Sequence, residues 1–393
     1  MLSEDEMSID ERRKYLKRMK GRYEKGNRKQ RSALLSEMEQ VTGLHRKSLT
    51  RLLAEGNLER KPRSGVRGRS YGQEVEEVIV QVWESLDYVC AERLTPVLLA
   101  TARHLAKFSE VQVSPGLEEQ LGRISRASVS RILRRFRSRR RRLPQKGAER
   151  ANAATKGVPM KRIDWQTREP GHFEVDLVHH GGETSAGEYV HTLQMVDVAT
   201  GWSERVAVRG RGYRAMQAGI EHLLSRLPFA VKEVHPDNGS EFFNQHLVRF
   251  WKEKVVGVQL SRSRPYQKND NRLVEQKNDT LVRQYFGDLR VDTAEQWEQM
   301  NALYEQMWLY YNFFQPVLHL TEKTVVDDQV RRKWDVAQTP FERLKATGCL
   351  SAEQQQLLQA LYEQTNPRLL REQIYRQLAR LWDQCLPQAS TAA

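Results

Sequence analysis

At His172 the hydrophobic period of the chain changes from helical to alternating, which separates a basic helical half from a neutral α/β half. Phe173, Val175 and Leu177 alternate with Glu174, Asp176 and Val178, as in a half-buried strand. A Gly-rich turn at 181–187 leads to a second run from Tyr189 to Val198, and Ala199-Thr-Gly201 turns into a third, Trp202 to Val208. Helical spacing returns at Met216, Ile220, Leu223, Leu224 and Leu227. A short strand (Val231 to Val234), a helix (Phe242 to Val255), a strand (Val256 to Ser261) and a helix from near Asn269 follow. This order predicts a mixed sheet flanked by helices. It puts Asp176 on the first, central strand, Asp237 just past the fourth and Glu275 on the closing helix, where the three can converge at one end of the sheet.

The charge balance points to a polyanion. Residues 1–150 carry 34 Lys+Arg against 20 Asp+Glu, while residues 151–393 carry 30 of each, so the whole net charge of +14 sits in the first part. Such a segment gains affinity for nucleic acid by displacing counterions from phosphates. Cys90, Cys349 and Cys385 are far apart, which argues against a disulfide framework and a structural zinc site. No run of about 18 apolar residues and no secretory leader is visible, so the expected location is the cytoplasm, at the nucleoid when bound to DNA.

The basic half reads as two helical DNA-binding modules. In residues 1–64, Leu34, Leu35, Met38 and Val41 form an apolar face, Gly43 stops the helix, and Leu44, Leu49, Leu52 and Leu53 resume at helical spacing. That is the outline of helix-turn-helix, with Arg46, Lys47 and Arg51 on the helix that would enter the major groove. Residues 65–72 read as a basic linker containing Arg67 and Arg69. In residues 73–142, Ser114-Pro115 and Ser125 mark helix starts, and the last helix carries Arg126, Arg131, Arg134 and Arg135 toward Arg139 and Arg140. Seven arginines in the nine positions 134–142 must meet water or phosphate. Residues 143–168 read as a linker, 169–320 as the α/β core and 321–393 as a helical region with a capping box at Ser351-Ala-Glu-Gln354 and an apolar stripe at Ile374, Leu378, Leu381 and Cys385.

Several blocks in the core are specific. Glu174-Val-Asp-Leu-Val178, Val196-Asp-Val-Ala-Thr-Gly-Trp-Ser-Glu204, Asp237-Asn-Gly-Ser-Glu-Phe242, Ser263-Arg-Pro-Tyr266, Asn269-Asp-Asn271, Val274-Glu-Gln-Lys-Asn278 and Tyr311-Asn-Phe-Phe-Gln-Pro316 resemble the transposases of bacterial insertion sequences in the retroviral-integrase superfamily, the DDE recombinases with an RNase H-like core. The resemblance covers about residues 165–320. It implies that Asp176, Asp237 and Glu275 are the catalytic, metal-binding triad, holding two Mg2+ per active site with Mn2+ as a substitute. The spacing departs from the family's: 37 residues separate Asp237 from Glu275 where 35 are usual, and the step from Tyr266 to Glu275 keeps its usual length. The implied activity is cleavage at the 3′ ends of a transposon and strand transfer into target DNA. The implied partners are double-stranded end DNA with inverted repeats, target DNA, further copies of the chain and an ATPase helper; no membrane is involved.

Around the triad, Arg264, Tyr266, Lys268, Arg272 and Lys277 are candidate DNA contacts. Among the other acids, Asp197 is expected to cap its turn and Asp270 the closing helix, Asp279 is a reserve ligand, and Glu174 shares a strand face with Asp176 without an assigned role. Trp202, Trp308, Tyr310, Phe313 and Phe314 are expected in the core. Competing readings are a catalytically silent DNA-binding regulator derived from a transposase and a structure-specific RNase H-like nuclease.

Overall fold

The computed structural model describes residues 7–54, 58, 71–136, 163–164, 167–183, 186–236, 242, 245–255, 257–263, 270–326 and 329–385. They fall into two compact units, 1–70 and 71–393. The first is a three-helix bundle of α1 (Ile9–Lys25), α2 (Arg28–Thr42) and α3 (Arg46–Ala54). Ser8 and Asn27 each close a capping box, and Gly43, at φ 66°, ends α2 in the left-handed conformation that glycine adopts without steric cost. Leu16, Met19, Leu34, Leu35, Met38, Leu49 and Leu53 make its core, whereas Val41, expected on the same face, is exposed.

The second unit opens with α4 (Gln73–Ser85), α5 (Ala91–Ala106), α6 (Pro115–Arg123) and α7 (Arg126–Phe136). Ser114 caps α6 with Pro115 in its first turn, and the Ser125 hydroxyl accepts the Ser128 amide at the head of α7, as their sequence predicts.

Its five-stranded sheet has the order β3-β2-β1-β4-β5, built from β1 (His172–His179), β2 (Val190–Asp197), β3 (Ser203–Arg209), β4 (Glu233–Pro236) and β5 (Gln259–Leu260). β1 is central: antiparallel to β2 and parallel to β4. Between β3 and β5 come α8 (Tyr213–Arg226) and α9 (Gln245–Lys254). They pack on one sheet face, where Phe173, Val175, Leu177, Leu193, Met195, Val206 and Val208 meet Met216, Ile220, Leu223, Leu247, Phe250 and Trp251. Gly219 permits the closest approach; a Cβ there would lie 2.7 Å from Val208 Cγ1.

The opposite face receives α10 (Arg272–Lys277), which continues as a π-helical segment Asn278–Arg283 into α11 (Gln284–Phe286), and the long α12 (Ala294–Phe314). The free edge at β3 is closed by side chains. Asn312 donates to the Ser203 carbonyl and accepts its amide, and Asn301 does the same for Ala207 four residues on. Trp202, Tyr310, Phe313 and Phe314 are buried and Trp308 packs against them, all in the core role their sequence context predicts.

After α12 come α13 (Pro340–Thr347), α14 (Ala352–Gln364) and α15 (Pro367–Cys385), with the Ser351 capping box and the buried stripe Ile374, Leu378 and Leu381 as expected. A hairpin of β6 (Leu320–Val326) and β7 (Gln329–Trp334) precedes these helices and was not expected. Its strands interleave charges with β-branched residues, so they lack an apolar alternation to read; what holds them is the backbone ladder and the Thr321 hydroxyl on the Lys333 carbonyl.

Helices α4–α7 share one apolar core with α12–α15. The turn after α4 is the rivet. Asp87 and Tyr88 take φ of 54° and 59°, unusual for side-chain-bearing residues. The Asp87 carboxylate accepts Arg371 Nε and Nη2 at 3.0 Å, Tyr375 at 2.8 Å and Tyr285 at 3.0 Å, which repays that strain. Tyr310 and Gln315 donate to the Ser85 and Leu86 carbonyls beside it. Replacing Asp87 by Ala leaves Arg371, mostly buried, without its counter-charge and should destabilise residues 71–393 by about 2–3 kcal/mol. Urea denaturation of the full chain measures this.

Candidate active site

Two carboxylates lie on one face of β1, as its alternation predicts. Asp176 is half-buried; its Oδ1 accepts the Leu177 amide at 2.8 Å and its Oδ2 the Asn278 amide nitrogen at 2.5 Å. Glu174 is only 5% exposed, and its Oε2 accepts the backbone amides of Leu273 at 2.7 Å and Val274 at 2.9 Å. Those are first-turn amides of α10, which the helix itself cannot satisfy. The residue at the helix's own cap position, Asn271, makes no side-chain cap bond. The carboxylate thus sits where the helix dipole favours negative charge. Asp270, expected to cap this helix, is buried in the turn before Asn271, while the Leu273 and Val274 amides are taken by an acid from the sheet.

Glu275 follows directly, exposed on α10 between the Glu174 and Asn278 contacts. β4 ends at Pro236, level with Val175 of β1. Asp237 lies outside the described residues, as do Arg264, Tyr266 and Lys268. Among the described residues no three His, Cys, Asp or Glu side chains gather to hold a metal, and Asp237 is not one of those residues. The described acids are hard oxygen donors on two hydrogen-bonded backbone elements, and both reach solvent, which fits Mg2+ or Mn2+.

Behind Asp176 a polar row crosses the sheet. The register pairs Asp176 with Gln194 on β2 and Gln194 with Arg205 on β3. Arg205 is 3% exposed, and its guanidinium lies over the Tyr311 and Tyr304 rings, 5.6 and 6.0 Å from their centroids. Cation–π contact is the partner a buried guanidinium finds here. Lys277, expected to touch DNA, turns inward: its Nζ lies 5.0 Å from the centre of the same Tyr311 ring. Burial, with Arg93 and Arg205 nearby, pushes its pKa down to about 7. The side chain is half-buried there, against Tyr311.

The remaining acids divide as their neighbours dictate. Asp197 is fully buried and holds the Ala199-Thr-Gly201 turn, accepting the Thr200 amide and hydroxyl at 2.8 and 2.7 Å and the Gly171 amide at 2.8 Å. Asp279 lies in the π-helical segment, half-buried, with Gln284 reaching it at 3.5 Å.

In the first unit, Lys47 and Arg51 are exposed on α3, while Arg46 turns back onto α2, donating to Ser36 and to the Ser32 hydroxyl and carbonyl. On α7, Arg126, Arg131, Arg134 and Arg135 are exposed, Arg135 pairing with Glu76 at 2.6 Å and Arg126 lying 3.6 Å from Glu92. Arg272 is half-buried at the start of α10. Arg67, Arg69, Arg139 and Arg140 lie outside the described residues.

The five-stranded sheet with its flanking helices forms an RNase H-like integrase core. The family model described as integrase core domain matches residues 166–268. The uncharacterized protein y4rM of Sinorhizobium fredii is 34% identical over 323 residues, covering 82% of this chain and 91% of that relative. The Pro-Pol polyprotein of feline foamy virus is 32% identical over 94 residues, 24% of this chain and 8% of the polyprotein. The crystal structure of the catalytic core domain of BIV integrase aligns with 45% of this chain and 96% of that one, at 16% identity and a TM-score of 0.30. The chain belongs to the integrase-core family, the RNase H-like superfamily that holds retroviral integrases and the transposases of bacterial insertion sequences. The class of reaction that goes with this core is polynucleotidyl transfer on DNA. Among the described residues no helix is long and apolar enough to cross a membrane.

Sequence reasoning left Glu174 without a role and passed over Asn278, although both carried a signal: one lies two residues before Asp176 on the same strand face, the other three residues after Glu275 on the same helix. The displaced Lys277 gives a test. With its folded pKa near 7 and its unfolded value near 10.5, the unfolded chain binds the extra proton between them, so this group makes stability rise with pH over that window. Lys277→Met should flatten that rise, measured as the denaturant midpoint between pH 7 and 10.

Proposed function

We propose that this protein is a DDE transposase that binds the ends of its element and catalyses metal-dependent 3′-end cleavage and strand transfer into target DNA. The observation that carries the reading is the joining of β1 to α10 by Glu174 and Asp176, which brings the Asp176 strand and the Glu275 helix together in an integrase-core fold. Asp176, Asp237 and Glu275 would hold the divalent ions, Mg2+ by preference and Mn2+ in its place, two per site. When bound, such ions neutralise charge on the attacking and leaving oxygens of a phosphodiester.

The chain's own residues do the rest. Asn278 and the Leu177 amide fix the orientation of the Asp176 carboxylate before substrate arrives, which spares the reaction that reorganisation. The same site serves a water that nicks the end and then the freed 3′-hydroxyl that attacks the target, so no covalent protein intermediate is needed. Two ends have to be cut and joined, which calls for at least two copies of the chain on paired ends; an ATPase helper is the partner that would choose the target.

Lys47 and Arg51 on α3 and Arg126, Arg131 and Arg134 on α7 are exposed cations on helices suited to a groove. Two readers on one chain raise affinity for a long terminal site through effective concentration.

Asp176→Asn or Asp237→Asn should abolish both cleavage and joining in a Mg2+-dependent assay on the element's own end, while end binding by fluorescence anisotropy stays near the parent value. Activity in either variant close to the parent overturns the assignment. Arg131→Ala with Arg134→Ala should weaken end binding and reduce the slope of log affinity against log salt by about 2 if each cation meets a phosphate. An unchanged slope removes α7 from the interface.

A further inference from the structure

We propose that Glu174 and Asn278 are positioning residues: together they hold the helix bearing Glu275 in register with the strand bearing Asp176, and capture of divalent ions at the site depends on them. The inference rests on the reading of Asp176, Asp237 and Glu275 as the metal-holding acids.

Two rulers of different pitch are matched here. From Glu174 to Asp176 the strand advances about 6.6 Å, two residues at roughly 3.3 Å each. On the helix, the points they meet are the amides of Leu273 and Val274 and the side chain of Asn278. Four to five residues at about 1.5 Å each span roughly 6–7.5 Å. The spans agree, so α10 lies along β1 and is pinned at two points. A helix pinned once can still roll, and each residue's worth of roll turns a side chain by about 100°. Pinned twice, it presents Glu275, which lies between the contacts, in one direction only.

The first contact is needed by both partners. Glu174 is almost fully buried on the sheet, where an ionised carboxylate requires donors. The first turn of α10 requires an acceptor that Asn271 does not supply. The second contact falls where the helix widens: Asn278 opens the π-helical segment, a form that costs backbone regularity and recurs at functional sites.

The test uses the full chain and three readouts: free Mn2+ by electron paramagnetic resonance, hydrogen exchange at the Leu273 and Val274 amides, and strand transfer of a pre-cut end as a function of Mn2+ concentration. Glu174→Ala should weaken Mn2+ capture by about tenfold or more and move the Mn2+ requirement of strand transfer up to match. The two amides should lose protection in the same variant. Glu174→Gln keeps an acceptor oxygen for both amides and should restore their protection and bring Mn2+ capture to within about threefold of the parent.

Asn278→Ala tests the other pin and should weaken Mn2+ capture without exposing the two amides. It also carries the test should Glu174→Ala fail to fold. If Glu174→Gln loses Mn2+ as completely as Glu174→Ala, the carboxylate is itself a ligand and the positioning role is wrong. If Glu174→Ala and Asn278→Ala both bind Mn2+ like the parent, the clamp has no bearing on the site. Asp176→Asn is run alongside: undiminished Mn2+ capture there overturns the metal reading itself, whereas its loss beside intact capture in Glu174→Ala and Asn278→Ala overturns only the clamp.

Discussion

A carboxylate that is 5% exposed on the central strand of a sheet must be met by donors, and here the donors are the unpaired amides at the head of a helix. That one interaction, Glu174 with Leu273 and Val274, decides which way the polar face of the sheet is covered. It brings α10 onto β1, and the chain that follows, through the π-helical segment and α11 to α12, closes that face. The buried Arg205 and Tyr311 and the half-buried Lys277 then find one another as a consequence of where α10 and α12 lie.

The two faces of the sheet differ in how they are filled. Toward α8 and α9 most side chains are apolar and pack by shape, and the buried Glu204 of β3 is met there by Arg226 of α8. Toward α10 and α12 the row Asp176, Gln194 and Arg205 brings charge inside, and each charged member needs a specific partner. Polar rows of this kind cost stability and are kept where chemistry requires them, and this one runs inward from the acid proposed to hold metal.

The α4–α7 helices are integral to the second unit. Asp87, set at the end of α4 in a conformation few side-chain-bearing residues adopt, gathers Arg371, Tyr375 and Tyr285 from two helices far along the chain. The exposed arginines of α7 are therefore carried on helices that share a core with α12 and α15, near the same sheet that bears Asp176. A DNA contact made on α7 would be coupled by packing to the sheet that bears Asp176.

Local signals were enough for much of the fold. Alternation marked β1 to β3, helical period marked α8, and Gly43, Ser114, Ser125 and Ser351 ended or began helices by chemistry that acts within four residues. The position of Asp176 on a central strand followed from the same alternation. Readings that relied on surroundings fared differently. Lys277, read as a phosphate contact, lies against Tyr311, the Leu273 and Val274 amides at the head of α10 go to Glu174 of the sheet, and the β6–β7 hairpin left no apolar period to read. Sequence alone determined the period, the caps and the blocks shared with integrase cores, because each depends on residues a turn or a strand apart. Only the tertiary structure decided which buried charge meets which partner, because a charge taken out of water is stabilised by whatever the fold brings against it, and that partner can lie a hundred residues away.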